Sequence, residues 1–117
     1  MIRVKATREG LLGHPTATGY VVDSIVPFVA LPSHEALGKF IRIQNVNNHR
    51  KAYAVVLDIG PWNTEDNDYV FHGHRPQAES GTDSTGRKTN GAGIDLSQRV
   101  WHELYMTDNS LVEWEFI

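Results

Sequence analysis

The chain has 117 residues, of which 40% are apolar and 21% charged, with no cysteine and a formal net charge of −3. That is the size of one compact domain built on one core. It excludes a disulfide scaffold and a thiolate metal site, a broad basic surface for nucleic acid, and an apolar run long enough to span a bilayer.

Ile2 to Thr7 alternates apolar and polar residues until Glu9-Gly10 and Gly13-His14-Pro15 break it, which predicts a first strand. Thr16 to Val22 reads as a second β-branched strand, and Val26 to Leu31 as a third, closed by Pro32-Ser33. Lys39 to Gln44 alternates strictly, and Lys51 to Ile59 resumes after Asn45-Val46-Asn47-Asn48-His49. The connection is rich in residues that tolerate left-handed backbone, so the pair reads as a β-hairpin. From Pro61 to Ala92 no period is sustained. Loops of that length in a small domain are uncommon, and this one is too aromatic for a disordered linker, so it is expected to be ordered and packed. Ile94-Asp95-Leu96-Ser97 is expected to open one helix, capped by Asp95 or Ser97, with Leu96, Val100, Trp101, Leu104 and Tyr105 on its apolar face. Leu111 to Ile117 alternates again as a closing strand. About six strands and one short helix fit a small barrel, in which closure removes exposed edges.

Asp58 follows the apolar run Val55-Val56-Leu57 and precedes Gly60-Pro61-Trp62. Desolvation at such a strand end raises a carboxyl pKa toward what a general acid needs; the same residue could simply accept N–H bonds in the turn. Asp95 is either a second acid or a helix cap. Two acids meeting in a cleft would have the composition of a glycosidic-bond site. Trp62, Tyr69 and Phe71 lie in the loop beyond Asp58, where they form either a sugar-stacking groove or a small loop-anchoring core. His72 and His74 have the spacing of two metal ligands on one face, but no third ligand has diagnostic spacing, and neither metal nor cofactor is expected. No serine stands in a nucleophile elbow, and neither Gly81 to Gly86 nor Gly91-Ala92-Gly93 has a phosphate-loop pattern.

Taken together, Thr16-Ala17-Thr18-Gly19, Ala30-Leu31-Pro32, Leu57-Asp58-Ile59-Gly60-Pro61-Trp62 and Ile94-Asp95-Leu96-Ser97 resemble the motifs of the RlpA-like (rare lipoprotein A-like) double-psi β-barrel family. Leu104-Tyr105 stands where that family carries Leu-Gly. The family is related to expansins and to the lytic transglycosylase A barrels. The resemblance implies a mainly β domain over 1–117: a six-stranded double-psi β-barrel with one short α-helix and a long inserted loop at about 63–92. It further implies a site for the glycan strand of peptidoglycan or a related polysaccharide, cleaved by carboxyl acid/base catalysis as in a lytic transglycosylase. Asp58, Asp95 and Asp23 match acids of the family's site. Trp62, Tyr20, Tyr69, Glu79 and His74 are the residues expected to meet the sugar. The alternatives are a non-catalytic, expansin-like glycan-binding module and a protein-interaction domain.

Three departures bear on catalysis. Tyr20 stands where the family has Glu, Phe28 or a neighbour stands where it has His, and Ile59 replaces an Arg. The expected partners are glycan and not nucleic acid, and the chain is expected to be a monomer without a membrane span. Relatives work in the periplasm or cell envelope, although the N-terminal residues read as lacking an export signal.

Overall fold

A computed structural model describes residues 1–10 and 12–117. Six strands, β1 (Ile2–Arg8), β2 (Phe28–Leu31), β3 (Phe40–Asn45), β4 (Lys51–Ile59), β5 (Ala92–Leu96) and β6 (Ser110–Phe116), close in the order β1-β5-β2-β4-β3-β6. β1 runs parallel to β5 and β2 parallel to β4, while the other four pairings are antiparallel. This interleaved closure is a double-psi β-barrel, and it leaves none of the six described strands with an unpaired edge.

Alternation sets the interior. Val4, Ala6, Val29, Leu31, Ile41, Ile43, Val56, Ile94, Leu96, Val112 and Trp114 are buried together in one core. Two short helices close onto it. α1 (Asn67–His72) brings Tyr69 and Val70 to the end where β1 begins and β6 finishes, and α2 (Gln98–Glu103) brings Val100 and, just past it, Leu104 to the end where β5 finishes.

Three expectations are corrected here. Thr16 to Val22 forms no strand: Gly19 takes φ +85°, its N–H bonds back to Thr16 O at 2.9 Å, and only the isolated Pro15–Val21 bridge remains. The sixth strand is instead Ala92–Leu96, so Ile94 and Asp95 belong to β5. The helix begins after Ser97, whose Oγ accepts the Val100 N–H at 3.3 Å. The parallel partner β1 overrides the helical reading of this segment, because burying Ile94 and Leu96 in the barrel uses a period of two. Finally, the described residues form two short α-helices rather than one. α1 and the 3-10 turn Gln77–Ser80 lie inside the long loop, which is therefore structured over part of its length.

Candidate functional site

The strand register lines up one row of residues facing away from the barrel interior. Asp58 on β4 pairs with Ala30 on β2, Ala30 with Asp95 on β5, and Asp95 with Thr7 on β1. Neighbouring strands lie about 4.8 Å apart, which sets the two aspartates roughly 10 Å apart at Cα. Only a methyl group stands between them, so their carboxyls can lean toward each other. The segment between β1 and β2 roofs the row. Ala17 and Ile59 each donate a backbone N–H to Asp58 Oδ1 at 2.9 Å, and the Thr18 hydroxyl donates to Leu57 O at 3.0 Å.

Asp95 accepts the Thr7 hydroxyl on Oδ1, while its Oδ2 lies 3.9 Å from the place a Cβ on Gly60 would occupy. Gly60 has φ +139°, a conformation essentially reserved for glycine, and it allows the chain to turn tightly against that carboxyl. Burial, with the charge of Asp58 adding to it and the Thr7 hydroxyl opposing it, pushes Asp95 up to about 6.

A third acid joins them. Glu9 follows β1 directly, is fixed by its N–H to Leu96 O at 2.7 Å, and is only 8% exposed. Burial, then the charges of Asp95 and Asp58, raise it to about 7. Its Oε2 is buried without any donor. A carboxylate there would be desolvated and unpaired, whereas a neutral acid can give its proton to Asp58. Glu9 and Asp95 are thus both pushed toward neutrality, Glu9 the further of the two.

Trp62 follows the Gly60-Pro61 turn beside Asp95, and the Arg87 guanidinium lies over its ring at 5.9 Å from the centroid. It is half-buried at φ +70°, rare for a bulky residue. Its Nε1 donates to Asn90 Oδ1 at 2.9 Å, and its carbonyl accepts Arg87 Nη2 at 3.2 Å. Arg87 is in turn held by Asp83 at 2.7 Å. Beside Thr7 and Asn90 a hollow of about 500 Å³ opens, with Arg8 and Trp101 in its wall.

The other expected residues sit elsewhere. Asp23 does not join the cluster: its Oδ1 accepts the Ile25 and Val26 N–H groups at 2.9 and 3.2 Å, a turn leading into β2, and the Tyr20 hydroxyl, then these backbone bonds, hold its pKa low. The ring of Tyr20 packs edge-on against Phe28 at 5.9 Å. Tyr69 is fully buried; its hydroxyl donates to Gly93 O and accepts Trp114 Nε1, both at 2.9 Å, which leaves no face for a ligand. Phe71 stacks on Phe116 at 5.2 Å, so these two loop aromatics anchor the loop rather than line a groove. Glu79 forms an ion pair with Arg75 at 2.5 Å, and His74 is exposed. Among the described residues no three His, Asp or Glu side chains, those of the Glu9, Asp58 and Asp95 cluster included, are placed so that they could hold a metal ion. Glu9 and Thr7 were missed from sequence. The alternation of β1 puts Thr7 outward, but nothing local marks Glu9, which reads as the break after the strand.

The class these features define is a double-psi β-barrel with a partly buried carboxyl cluster on its outer wall. Within that class, the chain belongs to the family described as a domain of unknown function (DUF8814), whose model matches residues 1–115. No curated protein sequence matches it. Among solved structures it is similar to the Streptomyces papain inhibitor (SPI), at 18% identity and TM-score 0.55 over 99% of this chain and 93% of that one. It is also similar to cerato-platanin 3 from M. perniciosa, at 10% identity and TM-score 0.57 over 99% and 94%. At these identities the likeness is one of fold.

Proposed function

We propose that the protein is a non-catalytic glycan-binding barrel of RlpA-like or expansin-like kind, acting on peptidoglycan or a related polysaccharide in the cell envelope. The observation that carries this reading is the meeting of Glu9, Asp58 and Asp95 beside Trp62. Sugar hydroxyls both donate and accept, and a cluster that mixes neutral and ionised carboxyls answers both needs at neutral pH. A tryptophan edge supplies the apolar contact for a ring. Turnover has less support. The third acid implied by the resemblance, Asp23, is spent in a turn, Tyr20 occupies the place of a glutamate, and Asp58 is tied down by two N–H groups.

Pull-down on purified sacculi, with mass spectrometry of the supernatant, tests the reading. Retention should survive Asp95→Asn, which keeps the hydrogen-bonding shape, and should fall about tenfold or more in Trp62→Ala. No anhydromuropeptides should appear. Their release by the wild type and not by Asp95→Asn would replace this reading with a lytic transglycosylase, and absence of retention would remove glycan altogether.

A further inference from the structure

Another part of the barrel wall is left open. Alternation turns Phe40 of β3 and Tyr53 of β4 outward, each 57% exposed. Between them lies an apolar groove of about 190 Å³ lined by Val26, Pro27, Phe40, Tyr53 and Val55. A chain of contacts extends the face from the groove's rim. Arg99 donates to Ile25 O at 3.2 Å and pairs with Glu103 at 2.7 Å, and Arg50 Nε donates to Glu103 O at 3.1 Å. The Arg50 guanidinium then lies over the Tyr105 ring, 3.8 Å from its centroid.

Tyr105 is unusual on local grounds. It occupies the position just past α2 and its capping residue Leu104, where the Met106 N–H returns to Trp101 O and the Tyr105 N–H to His102 O, both at 3.1 Å. In this helix-ending motif the residue at Tyr105's place is left-handed and normally glycine. Here a tyrosine holds φ +52° and remains 65% exposed. It contributes nothing to the core, and a strained, exposed aromatic points to a role in contact.

The charge of the face selects the occupant. Arg50 and Lys51 have no carboxylate partner among the described residues, whereas Glu103 and Glu115 are already paired, with Arg99 and Arg42. Arg42, opposite Tyr53 in the register, keeps a buried Nε–H without an acceptor. On a chain of net charge −3 this is local, uncompensated positive charge around an apolar groove. Aromatic residues and arginine are also the residue types that dominate protein-binding hot spots. We propose that this face docks an acidic segment of a partner protein, which places one apolar side chain in the groove and its carboxylates against Arg50 and Lys51.

Selecting short random peptides displayed on phage against the full chain tests this. Acidic sequences with an apolar residue should be enriched, and they should lose about tenfold or more in affinity to each of Arg50→Gln, Phe40→Ser and Tyr105→Gly. Glycine suits the left-handed backbone at residue 105, so a loss there with thermal stability retained cannot come from unfolding. The proposal is overturned by no enrichment, by enrichment of neutral or basic peptides, or by acidic peptides that bind the variants as well as the wild type. Displacement of the peptide by an equal concentration of single-stranded DNA would assign the face to nucleic acid and overturn it too.

Discussion

On β2, Phe28 and Ala30 point away from the barrel interior, as Phe40 does on β3 and Tyr53 on β4. Phe28 is fully buried all the same, while Phe40 is 57% exposed. The difference comes from a different part of the chain. The segment between β1 and β2 lies over the first region, with Tyr20 against Phe28, Ala17 bonded to Asp58, and Val22 buried beneath it. No described residue covers Phe40 or Tyr53 in the second, and both stay 57% exposed. Cover therefore decides the chemistry of each region: where it is present, Glu9 and Asp95 lose water and hold protons to higher pH, and where it is absent, aromatics and cations stay available to a partner.

The largest expected effect contrasts the two phenylalanines. Phe28→Ala should cost about 3–5 kcal/mol, the usual result of emptying a well-packed site. Phe40→Ala should stay within about 0.5 kcal/mol of the wild type. Denaturant midpoints at constant m-value measure both. Equal losses would mean that the roof over Phe28 does not exclude water, and the distinction between covered and open wall would fail.

The barrel was largely legible because three of its strands announce themselves by alternation and two more by β-branched or apolar runs, and the ordered motifs around Asp58 and Asp95 carried the double-psi resemblance. Ala92–Leu96 was misread because it runs straight into α2, and a short apolar stretch has no period that separates strand from helix. Thr16 to Val22 failed in the opposite sense: its β-branched composition suits a strand, but Gly19 turns it into a cover. The site was half legible. Asp58 and Asp95 share a row because of a register that no local pattern reveals, and Glu9 enters only once the roof is closed. Tyr69 looked available because it lies in a polar loop, whereas α1 carries it into the core.

A second effect, of intermediate size, concerns pH. Glu9 titrates at about 7 in the folded chain against an ordinary 4.5. Between those values the folded state keeps a proton that the unfolded state has released, so this contribution to stability is complete below pH 4.5 and is lost as pH rises through 7. Asp95, raised from 3.8 to about 6, slopes the same way over a lower window. Glu9→Gln keeps a neutral, hydrogen-bonding side chain and removes the proton. The variant should match the wild type near pH 5 and exceed it by about 1–3 kcal/mol at pH 8. Parallel curves of stability against pH for the two proteins would show that Glu9 is ionised and solvated, and that the roof does not dehydrate the cluster.

The smallest effect probes the open region. A left-handed backbone costs a non-glycine residue about 1 kcal/mol, and an exposed guanidinium–ring contact returns about 0.5–1. Tyr105→Gly removes both, so its stability should fall within about 0.5 kcal/mol of the wild type. Tyr105→Ala keeps the backbone cost and loses the ring, and should sit below the glycine variant by about 1 kcal/mol. Differential scanning calorimetry of the three proteins side by side gives this ordering. If alanine proves as stable as glycine, residue 105 carries no strain and the tyrosine needs no binding role to explain it. If the order holds, an exposed ring is kept at residue 105 where glycine would serve the fold at least as well, and its contact with Arg50 is built for something outside the chain.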